Sequence, residues 1–346
     1  MSEPEPFDPT LRVNLDFGDF ILRRRDASGD DRHADVADYA FDMDRVLRQK
    51  LTAFGPARKV ARMLVHHITP IQRQLHMMGG VAVGPNQFPE IHAQGAACAR
   101  QLGIGVPQIF IVPSPFLDAY TYATDDIEPM LVLSSALIDA LSPEERLFVI
   151  GHECGHIANL HGAYNSVVQS LVNPLAKAVT EKLAGVGIAM KLISTASQLQ
   201  LLSMAVGGGV QLFLKRWSRC AEVTCDRAGL ICCGDLITAQ RALARVATGG
   251  AGTLEGIDID HYIRQIGSIR SSAMRFQELF QSHPLIPKRL EAMRLFASCE
   301  VLYRWRPDIE APADTHPLAE IDAACAAVIG ISSANDPPLE DLEASA

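Results

Sequence analysis

The segment VIGHECGHIANLHG, residues 149–162, sets His152, Glu153 and His156 inside an otherwise apolar run. An apolar segment of this kind is driven into a core, where polar side chains are costly unless they share partners. A helix supplies the arrangement. Ser142 is placed to cap it, Pro143 takes its first turn, and Glu145 completes a capping box three residues after Ser142. The pattern predicts a helix running through His161. At 100° per residue, His152 and His156 stand one turn apart on one face, close enough to bind one metal ion. Glu153 points about 100° away, free to take a proton from a water activated by that ion. This is the H-E-x-x-H pattern.

Two imidazoles leave a hydrolytic zinc site one protein ligand short. The stretch SRCAEVTCDRAGL offers Glu222 and Asp226, four apart on a predicted helix over 215–233 that Gly234 ends. Glu222 is the candidate third ligand, and Asp226 the candidate acceptor that fixes the tautomer of a liganding imidazole. Cys220, Cys225, Cys232 and Cys233 make a competing thiolate set for a softer, closed centre, although their spacings match no paired zinc-ribbon pattern. Cys154 is read as packing on the inner side of its helix. His66, His67, His76, His92 and His261 have no partner at ligand spacing and are read as ordinary core or surface residues.

Taken together, GHECGHIANLH, AEVTCD and the later SHPLIPKRL resemble the HtpX-like family of zinc metalloendopeptidases, which includes the CAAX prenyl proteases and belongs to the gluzincin group. The resemblance covers roughly residues 86–296. It implies one zinc ion per chain, with His152, His156 and Glu222 as ligands, Glu153 as general base and Asp226 behind the ligands. It further implies that His161 is structural, that His283 sits near the zinc, and that Arg289 accompanies it. The stretch DAYTY stands where the family has an edge strand that pairs with extended substrate, so Asp118, Ala119 and Tyr120 are the expected substrate contacts. Asp118 replaces the family's Asn.

The expected fold is α+β and predominantly helical: a gluzincin-type metalloprotease domain with a small sheet, two motif-bearing helices and an N-terminal helical region. The expected organisation is a loosely ordered segment over 1–35, helical residues 36–85, a peptidase domain over 86–300, and an acidic, Pro-rich tail over 301–346. That tail either folds back over the groove or stays disordered. Strand-like runs are expected at PQIFIVP, LDAYTYAT and PMLVLSSALIDAL, the last passing into a helix near Ser134.

A formal net charge of −9 without a Lys/Arg block argues against nucleic acid as a partner. The opening MSEPEPFDPT has neither the basic nor the apolar region of a secretory signal, and eight irregularly spaced cysteines do not form a disulfide framework. The reading is a cytoplasmic chain with reduced thiols. Residues 192–214 carry no charge and are long enough to span a bilayer, but three Gln and three consecutive Gly weaken that reading. His156 and Glu222 must meet on one side, so a span there requires a second over 166–190, which contains Lys177, Glu181 and Lys182. A soluble form is favoured, with 192–214 open as a peripheral contact for membrane or protein. The function expected is zinc-dependent hydrolysis of extended or unfolded polypeptides. The alternatives are a non-catalytic, metal-stabilised binding or chaperone-like module and a hydrolase of non-peptide amides or esters.

Overall fold

A computed structural model describes residues 37–53, 74, 76–124, 127–162, 207–249, 257–265 and 285–331. The segment 166–190, residues 192–206, His283 and the last fifteen residues lie outside these. The elements in chain order are α1 (Asp42–Ala53), β1 (Val81–Ala82), α2 (Pro89–Gln101), β2 (Gln108–Val112), β3 (Ala119–Thr124), β4 (Ile127–Ser134), α3 (Ser135–Ala140) and α4 (Pro143–Ala158). They continue with α5 (Gly207–Cys233), α6 (Leu236–Thr248), α7 (Ile259–Gln265), α8 (Ile286–Phe296), α9 (Glu300–Trp305) and α10 (Leu318–Ile329). The fold is predominantly helical α+β. Among the described residues, no helix is long and apolar enough to cross a membrane.

The four strands lie in the order β1-β2-β4-β3, with β2 and β4 parallel and both outer pairs antiparallel. Alternation sorts the two faces. Ile109, Ile111, Leu131 and Leu133 join the helices in the main core, while Phe110, Met130 and Val132 form a smaller cluster with Tyr120 and Tyr122 on the far side. Thr121, between the two tyrosines, therefore faces the helices. The Gly-rich segment GGVAVGP carries β1, a two-residue strand defined by its pairing with Phe110 and Ile111 rather than by propensity.

Helix α4 starts as its sequence dictates. Ser142 accepts from the Glu145 amide at 3.2 Å, and Glu145 accepts from the Ser142 amide at 2.9 Å. Its end differs from the expectation: α4 stops at Ala158 and does not reach His161. Asn159 donates to the Gly155 carbonyl at 2.9 Å, and Leu160 turns left-handed at φ 59°. The amides of Leu160 and His161 then bond back to the carbonyls of Ile157 and His156. This is a Schellman turn with Leu where Gly is usual, a conformation costing roughly 1–2 kcal/mol.

Against α4 lies α5, closer than ordinary side chains permit. A Cβ on Gly155 would sit 2.7 Å from Cβ of Ala228, one on Gly151 2.5 Å from Cβ of Cys232, and one on Gly229 2.8 Å from the Phe148 carbonyl. Described segments before and after these helices join the same core. Buried Arg227 of α5 donates to the Tyr39 carbonyl at 3.1 Å, pairs with Asp322 of α10 at 2.8 Å, and lies over the rings of Phe41 and Phe296. The tail is thus folded over 318–329, where Ile321, Cys325 and Ile329 are buried. All eight cysteines are free thiols.

The close crossing makes a prediction. Gly155→Ala improves helix propensity by about 1 kcal/mol, but Ala228 has no flexible end to move aside. Overpacking should prevail, with a net loss of about 1–3 kcal/mol read as a lower denaturant midpoint. A raised midpoint would show that the helices are not held at this distance.

Candidate metal centre

Three helices and one strand deliver the site. From α4 come His152, Glu153 and His156; from α5 come Glu222, Cys225 and Asp226; α8 adds Arg289; and β3 adds Thr121. All but Thr121 are buried. His152 Nε2 lies 3.6 Å from Glu222 Oε2, and His156 Nε2 lies 3.7 Å from Glu222 Oε1. These separations exceed hydrogen bonds but approach the roughly 3.4 Å expected between ligands on a tetrahedral zinc with bonds near 2.0–2.1 Å.

The rear of the cluster is fully engaged. His152 Nδ1 lies 3.1 Å from Asp226 Oδ1. Arg289 grips Asp226 with two bonds of 2.6 and 2.7 Å, and its Nη1 stands 3.0 Å from Glu222 Oε2. Burial opposes the guanidinium charge, yet the two carboxylates override it and hold Arg289 above its ordinary range. Burial acts on Glu153 too, raising its carboxyl above the usual value, while His152 and the 2.7 Å hydrogen bond from Thr121 Oγ1 to Oε2 pull it partly back. Three carboxyl groups, those of Glu153, Glu222 and Asp226, thus stand in the buried site beside one guanidinium.

A second triad overlaps this one: His152, His156 and Cys225 each bring a donor atom within 4.8 Å of the others. The two sets differ in their chemistry. A thiol must ionise to bind metal. Burial first, then Glu222 and Asp44, pushes the Cys225 thiol well above its usual range. Its sulfur is also 3.5 Å from His161 Nδ1. Glu222 is the alternative donor to Cys225, its carboxylate presented to both Nε2 atoms.

The structure therefore brings together His152, Glu153, His156, Glu222, Asp226 and Arg289, and sets Ala119 and Tyr120 at the start of β3, an outer strand of the sheet, with Asp118 just before it. His283 lies outside the described residues. Sequence reasoning missed Thr121, whose signal is a single polar residue on the inward face of a strand between Ala119 and Ala123. It also missed Asp44, a charge beside the apolar stripe that Leu47 and Leu51 form on α1. Asp44 meets His161, which in turn meets His156.

With this geometry in hand, comparison with known proteins is direct. The sequence pattern of peptidase family M48 matches residues 85–296. The chain belongs to this family. It is similar to the plastoglobule-localized metallopeptidase 48 of Arabidopsis thaliana chloroplasts, 28% identical over 235 residues, 68% of this chain and 62% of that protein. Protease HtpX of Tolumonas auensis is 29% identical over 214 residues, 57% of this chain and 68% of the relative. An HtpX homolog of Moorella thermoacetica is 24% identical over 233 residues, covering 64% and 76%.

Arg289 provides the test of the electrostatics. Arg289→Met leaves two carboxylates buried without their countercharge and should destabilise the metal-free protein by about 3–5 kcal/mol in urea unfolding. A loss below about 1 kcal/mol would place the carboxylates in water.

Proposed function

We propose that this chain is a zinc-dependent endopeptidase acting on extended or unfolded polypeptides, with His152, His156 and Glu222 as the metal ligands. The observation that carries the reading is Glu222, whose two oxygens each face one imidazole Nε2 at 3.6 and 3.7 Å. Membership of peptidase family M48 and likeness to proteins named protease HtpX and metallopeptidase 48 support the peptide bond as the target.

Bound zinc would polarise the scissile carbonyl and acidify the attacking water. Every other duty falls to side chains. Glu153 takes the proton from that water as its oxygen attacks the carbonyl carbon, and gives it to the departing nitrogen as the carbon–nitrogen bond breaks. Thr121 holds one Glu153 oxygen, so the other is left to carry the proton. Asp226 accepts from Nδ1 of His152 and keeps its Nε2 lone pair for the metal, and Arg289 holds Asp226 in place. Asp118 immediately precedes the outer strand β3, which starts with Ala119 and Tyr120, and an extended peptide added alongside would bond to backbone with little regard for side chains.

The deciding experiment digests unfolded casein with the zinc-loaded chain and with Glu153→Gln carrying equal metal. Cleavage by wild type alone is expected, along with its loss on chelation and return with zinc. Equal cleavage by both would remove Glu153 from the mechanism. A second measurement concerns pH. The Thr121 hydroxyl favours the ionised form of Glu153, so Thr121→Val should raise that carboxyl further and move the acid limb of kcat/KM to higher pH. An unmoved limb would mean that Glu153 is not the group titrating there.

A further inference from the structure

The second histidine pair is built with as much care as the first. His156 Nδ1 faces His161 Nδ1 at 3.1 Å, and His161 Nε2 reaches Asp44 Oδ2 at 2.9 Å, a residue 117 positions earlier in the chain. Asp44 receives two more bonds: Trp217 Nε1 donates at 3.0 Å and Thr224 Oγ1 at 2.7 Å. All of these groups are buried, and the Trp217 ring stands edge-on to His161 with centroids 5.6 Å apart.

The directions of these bonds follow from what each atom can do. An ionised carboxylate only accepts, so His161 carries its proton on Nε2. The Nδ1 of a neutral His161 then has a lone pair, and the bond between the two facing Nδ1 atoms exists only if His156 supplies the proton. His156 protonated on Nδ1 has its lone pair on Nε2, the nitrogen that faces Glu222. The strained left-handed Leu160 has its use here, because the turn it makes brings His161 back beside His156.

We propose that Asp44 is a positioning residue of the metal centre, setting through His161 the tautomer in which His156 binds metal. The inference rests on His156 being a ligand. It extends the functional site beyond the family-matched residues 85–296 into α1, and gives His156 the same carboxylate support that Asp226 gives His152. The chain thus carries two carboxylate–histidine relays, one direct from α5 and one indirect from α1.

The test uses the full-length chain, with zinc as the probe. Affinity is measured by competition with a chelator for wild type, Asp44→Asn and Trp217→Phe, each first shown to be folded. Asn has a single acceptor oxygen and no charge, and Asp44→Asn should bind zinc about 10–100-fold more weakly, the usual penalty for losing such support. Trp217→Phe removes a different bond to Asp44 but leaves the one to His161, and its affinity should stay within about threefold of wild type. Long-range proton–nitrogen correlation on the metal-free wild type, labelled at histidine, should show His161 protonated at Nε2 and His156 at Nδ1. A folded Asp44→Asn that binds zinc like wild type overturns the proposal, as does His161 protonated at Nδ1. If Asp44→Asn does not fold, the tautomers of the wild type decide alone. Wild type that takes up no zinc would instead overturn the metal centre itself.

Discussion

The crossing of α4 and α5 is the constraint on which the rest depends. A metal centre assembled from two helices needs their axes close enough for short side chains to meet, and Gly151, Gly155 and Gly229 remove the atoms that would keep them apart. That approach puts Glu222 opposite His152 and His156, and it buries the carboxylates and imidazoles. Burial then creates the problem that the remaining polar residues solve, since each charged group in so dry a place needs a partner. Arg289, Asp226, Thr121, His161 and Asp44 are the partners, drawn from α8, α5, β3, the turn after α4, and α1.

This arrangement shows why segments on both sides of the peptidase match belong to the working unit. Arg227, one residue from Asp226, is tied to Tyr39 before α1 and to Asp322 on α10. The helix that carries two site carboxylates is therefore clamped by segments on both sides of the peptidase match. In the proposed mechanism the donors stay fixed while Glu153 moves one proton, and the clamps provide the fixed part.

Much of this was legible in the sequence, for reasons specific to each residue. His152, Glu153 and His156 were visible because helical period and chemistry coincide within five residues, and Ser142, Pro143 and Glu145 marked the start of their helix locally. Glu222 and Asp226 could be found from i,i+4 spacing. The end of α4 was misread because Leu160, with no Gly to announce it, adopts a left-handed conformation that only the packing of His161 justifies. Asp44 and Thr121 act across 117 and 32 positions of chain, a distance over which periodicity carries no information. The helix at 318–329 was hidden because its burial comes from α8 and Arg227, while its own surroundings are acidic and rich in proline.

The central claim is that α4 and α5 offer a divalent ion two imidazole nitrogens and the Glu222 carboxylate rather than the nearby Cys225 thiolate. X-ray absorption at the zinc edge on the zinc-loaded protein measures this directly, because a sulfur neighbour at about 2.3 Å separates cleanly from nitrogen and oxygen at about 2.0–2.2 Å. Nitrogen and oxygen neighbours only are expected. A sulfur shell would make Cys225 a ligand and contradict the assignment of Glu222.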